Sequence, residues 1–240
     1  MVTSEGTGGA DLLWGGQDRA ERPARPVLSL DAIAEVATAI ADADGIDAVS
    51  MQRVAGDLGF TKMSLYRYVA SKSELVAVMI DRAVGDPPDL SSIDGGWRAR
   101  LEEFARLLEQ AWHEHPWLPW ATVGERMIGP HEVGWIESAV AALDGTDLTG
   151  DERLDAVFML FGHMRNTQSM TTAGTQPWTT DRRFSTTTSG LMQKYGARYP
   201  ALTQALADTH GGPYDNGRRF GLTCIFDGIE TLVERRSSGA

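Results

Sequence analysis

Six side chains in one short stretch, Thr61, Lys62, Met63, Ser64, Tyr66 and Arg67, have the chemistry needed to hold a polyanion and read base edges. Lysine and arginine reach phosphates or guanine edges, hydroxyls donate to either, and a methionine can lie against a thymine methyl. Leu65 and Val69, at i and i+4, would turn inward and leave those six facing out on one helix. Just before them, Met51, Val54, Ala55 and Leu58 fall at i, i+3, i+4 and i+7, the apolar face of a second helix. Ser50 suits its N-cap and Gly59 its end, where a left-handed backbone costs least without a Cβ; Thr61 can cap the next helix. Two short helices joined by a tight bend form a helix-turn-helix. On pattern alone, the alternative is an ordinary helical hairpin with a solvated face.

The run from Ser29 to Gly85 resembles the N-terminal domain of the TetR family of bacterial transcriptional repressors. Gly45-Ile46 closes a first helix, Val54-Ala55 and Leu58-Gly59 frame the turn, and Leu65-Tyr66-Arg67-Tyr68-Val69 matches the family's Leu-Tyr pattern. Ser71-Lys72-Ser73-Glu74-Leu75 resembles the start of the family's fourth helix. That segment also reads as a capping box, in which the Ser71 hydroxyl and the Glu74 carboxylate satisfy each other's orphan amides. The resemblance implies that Lys72 contacts a phosphate, and a helix N-terminus suits an anion. Ser50 and Arg53 complete the expected DNA-binding set of Ser50, Arg53, Thr61, Lys62, Met63, Ser64, Tyr66, Arg67 and Lys72.

At 240 residues the chain divides into a mobile arm over 1–26, a helical head over 27–85 and a larger helical body over 86–240. The arm lacks the apolar core of a secretory signal; its Leu12-Leu13-Trp14 reads as part of a disordered tail, with a docking patch as the alternative. No apolar run reaches membrane-spanning length, and the single Cys224 sits in an apolar helical pattern, so a cytoplasmic protein with a core cysteine is expected. The net charge of −11 argues against a nucleic-acid partner until its distribution is considered. From Ser50 to Lys72, Arg53, Lys62, Arg67 and Lys72 face only Asp57, a local surplus of three positive charges. Arg19, Arg22 and Arg25 against Asp18 and Glu21 add one in the arm, a candidate minor-groove or phosphate contact. The acids Asp31, Glu35, Asp42 and Asp44 of the first helix are expected to face solvent. A basic tip on an acidic body orients the approach to DNA.

Beyond Asp86-Pro87-Pro88, Trp97, Leu101, Phe104, Leu108 and Ala111 recur at helical spacing up to His115-Pro116. Further helices are expected from about Pro130 to Leu143, from a Thr149/Glu152 capping box through Arg165, from Ala201 to Ala207, and around Phe220 to Val233. The Thr-, Ser- and Gly-crowded stretch from Thr171 to Gly190 reads as a long loop. With no period-two pattern, the fold class is all-α: a three-helix helix-turn-helix domain followed by a larger helical ligand-binding and dimerisation domain.

That body resembles the tetracycline-repressor-like C-terminal domain at Trp97, Leu101 to Phe104, Phe161-Gly162-His163, Phe220-Gly221-Leu222 and Gly228-Ile229-Glu230. The resemblance implies that the helices at Asp151 to Met170 and Asp215 to Arg235 pair with their symmetry mates. Both carry more bulky apolar residues than one face needs, which independently favours a homodimer. Phe158, Arg165, Phe220, Leu222, Ile225, Phe226, Ile229 and Leu232 are the expected interface residues. A small-molecule effector is expected among Trp112, Trp117, Trp120, Met127 and Trp135, part of a complement of seven tryptophans, together with Phe161, His163, Met164, Asn166 and Gln168. The alternative is that these residues are packed core.

No cofactor or metal is expected. Thr122 stands where tetracycline repressors place a magnesium-ligating histidine, and His113 and His115, two apart, point to different faces of a helix. No Gly-rich phosphate loop, zinc-ligand spacing or Gly-x-Ser-x-Gly elbow supports an enzyme, although a helical enzyme with scattered acids is a remaining alternative. The expected protein is therefore a ligand-released homodimeric repressor on a palindromic double-stranded operator, with activation as the alternative outcome and no membrane partner.

Overall fold

Ser29 opens the first helix by accepting a hydrogen bond from the Ala32 amide at 3.1 Å, and α1 (Leu30–Asp44) then buries Ile33, Ala34, Ala37, Ile40 and Ala41. The structure, a computed structural model, describes residues 28–172, 186–208, 215 and 217–238. The expectations for the arm, including Leu12-Leu13-Trp14 and its arginines, lie outside those residues. Eleven α-helices and two short 3-10 turns, at Ile46–Ala48 and Gly196–Arg198, make up the described residues, which contain no strand. They fall into two compact units that divide between Val157 and Phe158.

In the first unit, Gly45 stops α1 at a φ of 86°, where a side chain would be strained. Ser50 caps α2 (Met51–Asp57), which buries Met51, Val54 and Ala55. Leu58 is only partly buried, because the chain is already leaving the helix there. Gly59, at a φ of 72°, turns the chain so that the Phe60 amide donates to the Ala55 carbonyl at 2.9 Å. The next helix, α3 (Lys62–Leu65), is a single turn capped by Thr61 and prolonged by Tyr68 and Val69 amides that both donate to Leu65 O. Helix α4 (Lys72–Val84) begins at Ser71, whose hydroxyl accepts from Glu74 N. The Glu74 carboxylate accepts from Ala70 N at 2.6 Å, one residue further back than the predicted capping box requires.

Three body helices belong to the same unit: α5 (Gly96–Glu114), α6 (Leu118–Ala121) and α7 (Pro130–Ala141). Leu101, Phe104, Ala105, Leu108 and Trp112 form the buried face of α5, and Phe104 meets Trp135 of α7 edge to face at 5.6 Å. Helix α8 (Gly150–Thr172) starts at the predicted reciprocal box, with Thr149 N donating to Glu152 Oε2 and Glu152 N to Thr149 Oγ1.

The second unit contains the rest of α8 from Phe158, then α9 (Thr186–Tyr195), α10 (Pro200–Ala207) and α11 (Arg218–Ser238). The expected loop from Thr171 to Gly190 is helical at both its ends, since α8 continues through Thr172 and α9 starts at Thr186; residues 173–185 lie outside the description. Threonine and serine tolerate a helix when their side chains bond back to the preceding turn, as Thr167 in the same helix α8 does to His163 O. Cys224 is exposed, contrary to the core position expected. Two residues from buried Phe226, it lies about 200° around the helix from the packed face.

Helices α8 and α11 come together where His163 Nε2 donates to the Arg218 carbonyl at 2.9 Å. A Cβ on Gly221 would lie 2.1 Å from His163 Cε1. Gly221→Ala should therefore force the imidazole away and destabilise the fold by about 1–3 kcal/mol, despite the better helix propensity of alanine. Urea unfolding checks the sign: a stabilised variant would mean that the ring moves aside freely.

Candidate nucleic-acid interface and effector residues

The candidate reading face is small. Leu65 and Val69 are fully buried and anchor a one-turn helix, while Lys62, Met63, Tyr66, Arg67 and Lys72 are exposed around it. Met63 is 73 % exposed, far more than a methionine with a packing role requires. The Lys62 ammonium lies 5.5 Å from the centroid of the Tyr66 ring, one helical turn away, so the aromatic face helps position the cation. The Thr61 and Ser64 hydroxyls lie 2.9 Å apart, and Thr61 Oγ1 also accepts from Ser64 N. Thr61 and Ser50 are thus helix caps first, and their hydroxyls sit at the exposed edge of the same surface. Phe60, exposed on the turn beside Thr61, was missed by the periodicity argument because it belongs to neither helix.

Arg53 is exposed but engaged: its guanidinium pairs with Asp44 at the end of α1. The acids Asp31, Glu35, Asp42 and Asp44 of α1 are exposed as expected, and three of them also hold partners. Asp31 pairs with Arg82 of α4, and Asp42 accepts from Trp117 Nε1 at 2.7 Å and from His115 Nδ1 at 2.9 Å.

The expected effector residues divide between the two units. In the first, Trp112, Trp117 and Trp135 are buried. The Trp135 indole N–H donates to Gly85 O at 3.1 Å, as that of Trp117 does to Asp42. These two tryptophans are struts between the body helices and the head. Trp120 is exposed, and Met127 packs against Ala34, Ala77 and Val78 of the head. Met127 is therefore a packing residue of the head, a use that sequence spacing could not distinguish from a flexible pocket wall. A groove of about 400 Å³ in this unit is lined by residues of α1 and α4 with His115, and by none of the tryptophans.

In the second unit Met164 and Gln168 are buried, Phe161 and His163 partly buried, and Asn166 exposed. Gln168 Oε1 accepts from Arg218 Nη2 at 3.0 Å. Burial pushes the Arg218 guanidinium pKa below its usual value, while leaving a group of such high intrinsic basicity charged. Arg218, absent from the predicted set, is placed beside Gln168 by a long-range fold contact, and its position at the head of a helix gave no warning of it.

The expected dimer residues also separate. Phe220 (75 % exposed), Phe158 and Leu232 present apolar surface, joined by Leu154 and Met159 of α8, which were not predicted as interface residues. Leu222, Ile225 and Arg165 are partly buried. Phe226 and Ile229 are 2 % and 3 % exposed, so they already serve as core within the chain and are corrected from the interface set. Among the described residues, no three His, Cys, Asp or Glu side chains are grouped to hold a metal ion, and no helix is long and apolar enough to cross a membrane.

Comparison with known proteins matches residues 33–79 to the pattern of bacterial regulatory proteins of the tetR family, and residues 88–233 to the tetracyclin repressor-like C-terminal domain. The chain is 37 % identical over 235 residues to the HTH-type transcriptional repressor DrrR1 of Streptomyces coeruleorubidus, covering 94 % of this chain and 86 % of that one. It is 24 % identical over 237 residues to the HTH-type transcriptional repressor Rv1353c of Mycobacterium tuberculosis, covering 92 % and 87 % of the two chains. Its fold is similar to that of the Streptomyces coelicolor TetR family protein ActR, solved in complex with actinorhodin: TM-score 0.68, 22 % identity, 86 % of this chain and 97 % of that one.

The Arg53–Asp44 pair generates a test of the interface. Both partners are substantially exposed, so Asp44→Asn should change stability by less than about 1 kcal/mol. Removing the carboxylate releases a cation at the edge of the reading face. Binding to a generic DNA duplex should strengthen severalfold, and the slope of log affinity against log salt should steepen by roughly one contact. Fluorescence anisotropy across a salt series measures both; an unchanged slope would place Arg53 outside the interface.

Proposed function

The chain belongs to the tetR family of bacterial regulatory proteins, and from that premise we propose that it is a homodimeric repressor released from a palindromic operator by a small-molecule effector. It is a DNA-binding transcriptional regulator and not an enzyme. The observation that carries the operator reading is the exposed face of Lys62, Met63, Tyr66 and Arg67 on a turn anchored by fully buried Leu65 and Val69. Each head offers Lys62 and Arg67 to phosphates or guanine edges, Met63 to a thymine methyl, and Lys72 to a phosphate at the start of α4. The repressor names of the relatives favour repression over activation. Action on DNA supports a cytoplasmic location.

The dimer reading rests on the apolar side chains left uncovered on α8 and α11. Among the described residues, Phe158, Met159, Phe220 and Leu232 leave apolar surface that a second copy would cover. A twofold axis through these helices gives two heads, and two heads read two half-sites about one DNA turn apart. Effector binding is assigned to the α8 residues His163, Met164, Asn166 and Gln168 with Phe161, and Arg218 is added to them. The ligand that ActR carries is a property of that protein; here the effector is a small molecule with polar groups matching an amide and a guanidinium. Because coupling is reciprocal, operator DNA must weaken effector binding by the same factor that effector weakens operator binding.

Lys62→Ala combined with Arg67→Ala should lower affinity for a selected operator by roughly a hundredfold or more. The melting temperature should stay within about 2 °C, since both side chains are exposed. Retained binding in an electrophoretic mobility assay would remove α3 as the reading element. Phe158→Glu with Phe220→Glu should convert a dimer into a folded monomer in sedimentation and abolish tight operator binding; a persisting dimer would move the interface elsewhere.

A further inference from the structure

The groove of about 400 Å³ on the first unit has no use in operator or effector binding as described above. Asp31, Glu35, Thr38 and Asp42, at i, i+4, i+7 and i+11 of α1, line one wall with Ala34 and Ala39, and Arg82 and Ala83 of α4 and His115 complete it. Small side chains leave the space and charged ones rim it. Asp31 is paired with Arg82, and Asp42 accepts from Trp117 Nε1 and lies 2.9 Å from His115 Nδ1. Glu35 holds no partner among the described residues. With His115 neutral, the three carboxylates against one guanidinium leave two negative charges facing the groove.

Opposite charge stands immediately upstream. Residues 1–27 precede the described part, and Leu28, only 7 % exposed, fixes the point where they join the head. Arg22 and Arg25 are the two arginines nearest that point, and no acid lies between Arg22 and Ser29. Each precedes a proline, which favours extended backbone, and a three-residue spacing in that conformation sets two side chains on one side about 9 Å apart. Glu35 and Asp42 are about 10 Å apart along α1. From Leu28, three and six residues of extended chain span roughly 10 and 20 Å, enough to bring Arg25 to Glu35 and Arg22 to Asp42 when the arm folds back along the helix.

We propose that this groove is a docking surface for the chain's own segment Arg22–Pro26, with Arg25 seated by Glu35 and Arg22 by Asp42. While docked, the two arginines are withheld from nucleic acid, so the groove lowers affinity for generic DNA until phosphates displace it. Exposed pairs of this kind are individually weak, so the segment exchanges between groove and phosphate. The docking is independent of the operator reading; its effect on DNA rests on that reading.

The test uses the full-length protein carrying Cys224→Ser, so that Ala24→Cys in the arm and Ala39→Cys on the groove wall supply its only thiols. A disulfide needs the two Cα atoms within roughly 7 Å, so its rate of formation in oxidised glutathione reads docking. Glu35→Arg should slow that rate by about fivefold or more, and adding Arg25→Glu should restore most of it. Salt at about 0.5 M should slow the parent pair likewise. A rate indifferent to charge and salt, a loss that Arg25→Glu does not recover, or disulfides that form between chains rather than within one would each overturn the proposal. The disulfide-locked protein should bind a generic duplex severalfold more weakly than the same protein reduced, with a salt slope shallower by roughly two contacts. Equal slopes would overturn the withholding of the arm from DNA. Failure of the reduced protein to bind any duplex would instead sink the operator reading.

Discussion

A buried carboxylate constrains this structure more than any other single group. Asp81 sits on α4 where the helix faces the body, almost removed from solvent, and such a charge is tolerated only when hydrogen-bond donors surround it. The amides of His131 and Glu132 supply them, and these are also the orphan donors that α7 must satisfy at its own start. One group therefore settles two accounts: α4 cannot shift without exposing an unpaired charge, and α7 cannot shift without losing its cap. Each orphaned donor or acceptor would cost about 1–3 kcal/mol, a large share of a typical domain's stability. Gly129 follows as a requirement, because no other residue lets the backbone come this close to Asp81.

Much of the head was legible because its information is local. The caps at Ser29, Ser50, Thr61 and Ser71 and the stops at Gly45, Gly59 and Gly85 are decided within a few residues of where they stand. The face of α3 was legible for the same reason, as Leu65 and Val69 fix which way Lys62, Met63 and Tyr66 must point. What the sequence concealed was long-range. Trp117 and Trp135 look like pocket walls until Asp42 and Gly85 are seen to take their indole hydrogens from many residues away. A tryptophan in a binding site and a tryptophan bracing two helices have the same periodicity and composition, and only the partner of the N–H separates them. Met127 was misread for the same reason, and Phe226 and Ile229 because a wide apolar stripe does not reveal which part of it the chain's own fold covers.

Charge is arranged so that the acidic chain does not cancel its own basic tip. Asp31, Asp42 and Asp44 of α1 each hold a partner, Arg82, the His115–Trp117 pair and Arg53 respectively. One is structural, the part-buried Asp42 contact that joins α1 to the turn after α5, while the Arg82–Asp31 pair between α4 and α1 is as exposed as the Arg53–Asp44 pair. The third restrains an arginine beside the reading face. Exposed pairs of this kind contribute little stability, so the Arg53–Asp44 contact acts as a weak competitor for phosphate rather than as a staple. By contrast Lys62, resting over Tyr66, faces no carboxylate in its helix and stays available for the stronger field of DNA.

The same reasoning explains why α8 and α11 carry two kinds of apolar residue. Leu160 and Met164 of α8 and Phe226 and Ile229 of α11 are buried, and Gly221 admits the His163 ring where the two helices meet. Phe158, Met159, Phe220 and Leu232 stay exposed among the described residues. A helix pair that has satisfied its own core and still presents phenylalanines has a second surface with its own requirement. A second copy of the same pair meets that requirement by symmetry, since identical apolar strips are self-complementary across a twofold axis. In the proposed dimer the heads are two because these apolar strips are covered by a second copy of themselves.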